Sequence, residues 1–162
     1  MIRVYWDSCV FIDRIQRTPG RIALLQQITD LAANGEIEIT TSTMAVAEVC
    51  KFNEKAAASV SVHEQGAQIL AFFQNDYFIV YQVTLGIAES AAELVRNNAG
   101  LKPPDAIHIA TALLSGAKEL HTYDGTGGRD GRLGKLHLRF GDPPLRIVEP
   151  SAPAVTPRLF DK

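Results

Sequence analysis

At 162 residues the chain is long enough to enclose one sizeable core, and its 46% hydrophobic content sets it apart from disordered sequences. Its 16 Lys and Arg stand against 18 Asp and Glu, a formal net charge of −2, so only a local basic rim would draw it to nucleic acid. The two cysteines, Cys9 and Cys50, form no CxxC or zinc pattern and no disulfide scaffold, and both read as small buried hydrophobes. No signal region opens the chain and no stretch approaches the ~18 apolar residues of a membrane span, so a soluble cytoplasmic protein without membrane contact is expected.

In chain order, residues 2–6 predict a first strand, because Val4, Tyr5 and Trp6 favour extended backbone. Residues 8–15 predict a short helix, closed by the Thr18-Pro19-Gly20 break. Ile22, Leu25, Ile28, Leu31 and Ala32 recur at helical spacing over residues 21–33, and Asn34-Gly35 stops that helix. Residues 36–40 form the next strand, and Thr41, Ser42 and Thr43 offer caps for a helix running through Glu48 to about Asn53. Residues 60–74 are a helix, 77–81 a strand and 84–97 a helix. Pro103-Pro104 opens a further helix near Asp105, since proline is tolerated in a first turn, and Gly116 ends it. Residues 119–123 make a short strand that delivers Asp124. The segment 125–134, with its five glycines and little to bury, reads as a loop, and residues 145–148 as a last strand. Strands alternating with helices predict a three-layer α/β/α domain with a mainly parallel sheet over residues 1–148. Residues 149–162 form a Pro-rich C-terminal tail that wraps the surface or stays mobile.

Ligands of such sheets bind beyond the carboxyl ends of the strands. Asp7 follows the first strand and Asp124 the short fourth one, while Glu48 and Asp105 sit near helix starts that can aim at the same rim. Each has an ordinary reading: Asp7 as a helix cap, Glu48 as a solvated helix residue, Asp105 as a helix-start acid, Asp124 as a turn with Gly125. Together they suit Mg²⁺ or Mn²⁺, which prefer oxygen ligands. Without a cation such a group repels, by about 4 kcal/mol for a close pair at an effective dielectric of 20.

The stretches DSCVFID, TSTMAVAEV, PPDAIHIATAL and HTYD, in that order, resemble the PIN-domain family, in particular its VapC-type ribonuclease toxins, over about residues 1–148. The resemblance implies an α/β/α fold whose acids gather Mg²⁺ or Mn²⁺ and cut RNA. It assigns Asp7, Glu48, Asp105 and Asp124 as the metal-holding, catalytic residues, with Thr122 as the polar companion of Asp124 and Thr41 or Ser42 nearby. The Gly-rich segment after Asp124 departs from the family's shorter connection, and Asp130 there is either an outer acid or shares the role of Asp124.

Four further groups of residues need placing. His108, three residues after Asp105, reads as a polar contact at the edge of a buried helix before it reads as catalytic. His121 reads as structural, and His63 and His137 carry no informative spacing. Arg14, Arg17 and Arg21, then Arg129, Arg132 and Lys135, with Lys102, are either solvated surface or the positive walls of an RNA path that contact phosphates and read no bases. Tyr123 either stacks a base or is buried.

The expected activity is a metal-dependent endoribonuclease leaving 5′-phosphate and 3′-hydroxyl ends on single-stranded or structured RNA. Thr41, Ser42, Thr122 and Asp130 would orient carboxylates or water. The resemblance adds a small antitoxin protein as partner and a homodimer. The rival expectations are a catalytically inactive RNA- or protein-binding module of the same fold, and a DNA or flap nuclease.

Overall fold

A computed structural model describes residues 1–49, 62–128 and 131–153. Strand β1 (Ile2–Trp6) leads into α1 (Ser8–Gln16) and α2 (Ile22–Ala33), followed by β2 (Ile37–Ser42) and α3 (Thr43–Val49). Next come α4 (Val62–Phe73), β3 (Phe78–Tyr81), α5 (Leu85–Asn97) and α6 (Pro103–Leu114). The chain then forms β4 (Glu119–His121), a 3-10 turn at Leu133–Leu136 and β5 (Arg146–Val148). Among the described residues no helix is long and apolar enough to cross a membrane.

The strands form one sheet in the order β3-β2-β1-β4-β5, every adjacent pair parallel. Parallel neighbours require crossover connections, and the helices supply them. From β1 the chain moves outward through β2 and β3, then returns to lay β4 against the other side of β1. Sheets of this kind bind ligands in the crevice at such a reversal, here beyond the carboxyl ends of β1 and β4.

Both faces of the sheet are covered, which makes this a three-layer α/β/α fold. On one face Val4 and Trp6 of β1, Ile37 and Ile39 of β2 and Phe78 of β3 pack with Val10, Phe11, Leu25, Ile28, Ala45, Val49, Ile69 and Phe73 from α1 to α4. On the other, Tyr5, Leu120 and Ile147 meet Ile87, Ala91, Ala106, Ile109 and Ala112 from α5 and α6. The period of two along β1 thus sends Val4 and Trp6 one way and Tyr5 the other, all fully buried.

Phe11 anchors the first face, with ring centroids 4.6 Å from Phe73, 5.3 Å from Phe78 and 5.4 Å from Trp6. Edge-to-face and tilted pairs at these separations add to the burial of the rings themselves. On the sheet itself, Trp6 Nε1 donates to His121 Nδ1 at 3.2 Å, leaving His121 Nε2–H to donate to Glu119 at 3.0 Å. Arg146 reaches the same carboxylate from β5. The His121 hydrogen bond first, then the attraction of His121 and Arg146, hold Glu119 below its usual range against the opposing effect of burial. His121 is therefore structural, as its strand position predicted.

The element boundaries differ from expectation in four places. β2 runs to Ser42, so Thr41 and Ser42 are buried strand residues and not helix caps. The sixth helix starts at Pro103, which puts Asp105 inside its first turn. β4 ends at His121, and Thr122 instead donates its amide to Val148 O at 2.9 Å. The glycine-rich segment is more than a solvated loop: it carries the 3-10 turn and buries Leu133 in the second core cluster. Cys50, Asn53, Arg129, Asp130 and the tail beyond residue 153 lie outside the described residues.

Two outcomes test this packing. Phe11→Ala should cost about 3–5 kcal/mol in urea unfolding, the range for removing a buried aromatic ring. Glu119→Gln should cost about 1 kcal/mol at pH 7, the size of a partly exposed charge-assisted bond. Because the folded-state value of Glu119 is depressed, its contribution is present above the usual carboxylate range of about 4.3 and disappears as pH falls through the folded value. The deficit of Glu119→Gln relative to wild type should therefore shrink in unfolding curves below about pH 4.

Candidate active site

Each of the four candidate acids is placed by a different local device. Asp7 leaves β1 with extended backbone and caps α1, its Oδ1 accepting from Val10 N at 3.3 Å. The capping reading of Asp7 is thus correct as far as it goes. The same oxygen also accepts from the Cys9 thiol at 2.9 Å, and Thr122 hydrogen-bonds the carboxylate as well. Asp7 is nonetheless almost completely buried, and that burial raises its pKa, with His108, Cys9, Thr122 and the Val10 amide acting in the opposite direction. Cys9 is only partly buried, and it is more than a small hydrophobe: it also accepts from Tyr123 N at 3.1 Å.

Asp105 stands in the first turn of α6, where a carboxylate also complements the positive end of the helix. Its pKa is raised, by desolvation first and then by Asp124, with Glu48 adding to it, while His108 and Lys102 oppose. These mutual effects place Asp105, Asp124 and Glu48 in one electrostatic neighbourhood. Asp7 joins it through His108 and through Tyr5, whose hydroxyl feels both Asp7 and Glu48.

Glu48 projects from α3 toward α6, where its Oε2 lies 2.9 Å from His108 Nε2. His108 is buried, and its Nδ1 lies 2.8 Å from the Tyr5 hydroxyl, which in turn contacts Ser42 Oγ at 3.0 Å. An ionised Glu48 can only accept, so Nε2 carries the donated proton. The polar-contact reading of His108 therefore holds, with an addition: its contact is a carboxylate of the site. Tyr5 reads from the sequence as core packing and is fully buried; the link of its hydroxyl to His108 and Ser42 has no local sequence signal.

Asp124 is fixed by the glycine-rich segment. Its carboxylate accepts from Arg132 N and Leu133 N, both at 3.3 Å, and its own amide donates to Thr122 Oγ1 at 2.9 Å. Gly131, at φ +153°, presses so close that a Cβ there would collide with Asp124 Oδ1. Thr122 thus touches both Asp7 and the Asp124 amide. Ser42 reaches the site through Tyr5, and Thr41 Oγ1 donates to Trp6 O at 2.9 Å.

The cations divide. Lys102, exposed at the entrance to α6, is the basic side chain whose charge Asp105 feels. Arg132 is exposed on the segment that holds Asp124. Arg14 instead lies over the Phe72 ring at 5.6 Å and bonds Gln26, and Arg17 is the exposed left-handed cap of α1. Arg21 pairs with Asp13 and covers the Tyr123 ring at 3.8 Å, so of the two readings of Tyr123 burial is the one observed.

Oxygen donors of this kind match the preference of Mg²⁺ and Mn²⁺, while the raised values of Asp7 and Asp105 come first from burial. Among the described residues, however, no three His, Cys, Asp or Glu side chains are grouped so that they could hold a metal ion together. Glu48 faces His108, Asp124 faces two loop amides, and Asp7 faces Cys9 and Val10. The chemistry of the donors fits a hard cation, and their present partners occupy them. Asp7→Asn keeps an oxygen for the Val10 amide and removes a buried charge. It should leave the melting temperature in chelator unchanged or higher, as differential scanning fluorimetry would show, while weakening any upward shift with Mn²⁺.

The sequence profile of the PIN domain matches residues 4–126, most of the chain and all four acids. A search of curated protein sequences finds no significant match. Among solved structures, the fold is similar to that of VapC20 from Mycobacterium tuberculosis, a sarcin–ricin-loop-cleaving toxin, with TM-score 0.60, 17% identity and coverage of 75% of this chain and 90% of that one. It is also similar to VapBC2 from Rickettsia felis bound to a promoter DNA fragment, with TM-score 0.54, 17% identity and coverage of 91% and 98%. A toxin–antitoxin complex from Klebsiella pneumoniae matches with TM-score 0.50, 26% identity and coverage of 75% and 86%. The profile match over most of the chain makes it a member of the PIN-domain family, and the parallel sheet with helices on both faces agrees.

Proposed function

We propose that the chain is a metal-dependent endoribonuclease acting as the toxin of a toxin–antitoxin pair in the cytoplasm. The observation that carries this reading is the acidic neighbourhood at the sheet reversal: Asp105 feels Asp124 and Glu48, and the buried Asp7 feels His108, the partner of Glu48. That arrangement has a purpose if a divalent cation relieves it. Asp7, Glu48, Asp105 and Asp124 are the residues that would hold Mg²⁺ or Mn²⁺. When bound, such a cation supplies an acidified water and neutralises charge building on phosphorus and on the leaving 3′ oxygen.

The other roles belong to the chain's own groups. Thr122 orients Asp7 and anchors the amide of Asp124, and His108 fixes the orientation of Glu48. Lys102 and Arg132 attract the phosphate backbone to a protein that is acidic overall, so binding depends on salt and little on base identity. The similarity to toxin–antitoxin complexes supports a protein antitoxin, and the family resemblance adds a homodimer.

A second reading, an RNA- or protein-binding module without cleavage, is favoured by one observation: Glu48 and Asp124 are each already engaged by groups of the same chain. Cutting of a single-stranded RNA panel separates the two. The enzyme should cleave in Mg²⁺ or Mn²⁺, stop in EDTA, spare matched DNA and leave 5′-phosphate ends. Asp105→Asn should lower kcat at least about 100-fold, since a cation supplies several kcal/mol to such a reaction. Retention of RNA without cutting in any divalent cation would establish the binding module instead.

A further inference from the structure

A cavity of about 320 Å³ lies between the α5–α6 turn and the 3-10 turn, lined by Asn98, Ala99, Gly100, Leu101, Arg132, Lys135 and Leu136. This is within the size range of small-ligand pockets, roughly 300–1,000 Å³. Both charged residues in its lining are cations, and neither forms an ion pair among the described residues. Arg132 immediately precedes the 3-10 turn and Lys135 lies within it, three residues on. Side chains so spaced eclipse each other on that kind of turn, which sends both cations the same way.

The opposite wall is backbone. Gly100 turns the chain at φ +83°, and a Cβ at that position would stand 3.0 Å from Arg132 Nη1. The guanidinium therefore lies over the glycine, at the edge of a floor made by Leu101 and Leu136. One peptide link and one hydrogen bond tie the cavity to the acidic group. Leu101 is followed by Lys102, whose charge acts on Asp105, and Arg132 gives its own amide to Asp124.

We propose that this cavity is a second subsite of the RNA path, taking one nucleotide away from the bond to be cut, with its phosphate on Arg132 and Lys135 and its ribose or base against Leu101 and Leu136. The inference rests on the ribonuclease reading and extends it, because it fixes the side of the acidic group on which the strand continues. Two cations with an apolar floor match a nucleotide unit better than a bare anion. The direct connection to Lys102 and Asp124 favours a continuing strand over an unrelated small ligand.

The test uses the full chain and its Lys135→Gln variant, with labelled single-stranded RNAs lengthened one nucleotide at a time from each end. Lys135 is exposed, and urea unfolding checks that the variant folds as wild type. In EDTA, fluorescence anisotropy should show wild-type affinity rising about tenfold at one particular length. The variant should lose that step while binding shorter RNAs normally, and its log-affinity against log-salt slope should flatten by about 0.7, the value for one single-strand phosphate contact. In Mn²⁺ the loss should sit in KM for long RNAs and leave kcat nearly unmoved. An equal loss at every length would mean a diffuse field and would overturn the subsite, as would no loss at all. A wild type that cuts RNA without the step refutes the subsite and keeps the nuclease. One that shows the step but never cuts keeps the subsite and refutes the nuclease.

Discussion

The organising constraint in this protein is a carboxylate that follows the buried end of the central strand. β1 lies in the centre of the sheet, has helices over both faces, and ends at Asp7, which is nearly shut off from water. A charge in that position is expensive unless hydrogen bonds and opposite charges compensate it. The Val10 amide, the Cys9 thiol, Thr122 and the nearby His108 all act in that direction, and burial still prevails. The surrounding structure can be understood as partial compensation that leaves a deficit at the crevice.

The same logic explains why the two helical layers differ in character. The layer built on Phe11, Phe73 and Phe78 is apolar and serves stability. The layer built on α6 carries a polar chain through its core: Ser42, Tyr5, His108 and Glu48, linked at 2.8 to 3.0 Å. Buried polar networks are tolerated when every member has a partner. Here the chain ends at a carboxylate of the crevice, so packing on that face and orientation at the site are one arrangement.

The sequence disclosed the fold well because its strands are buried on both faces and punctuated by clear helix signals. The acids were legible for a related reason: Asp7 and Asp124 end runs that read as strands, and Asp105 follows two prolines that open a helix. What it could not disclose was partnership over long separations. Tyr5 and His108 are 103 residues apart, and His108 and Glu48 are 60 apart. No local pattern encodes such pairs. Composition misled for residues 125–134, where abundant glycine suggested open loop and Leu133 proved to be core. Nor does closeness in sequence to Asp7 give direction: the Arg14 side chain lies over the Phe72 ring.

That glycine-rich segment has an implication for how the protein can diverge. At Gly131 any side chain would strike the Asp124 carboxylate, and at Gly134 it would strike the backbone of Gly125. A stretch that looks permissive by composition is therefore among the least tolerant of drift, and exchanges at those two sites would displace an acid of the crevice before they disturbed the core. Mutational freedom along this chain should follow the contacts of the missing atoms, and amino-acid content will be a poor guide to it.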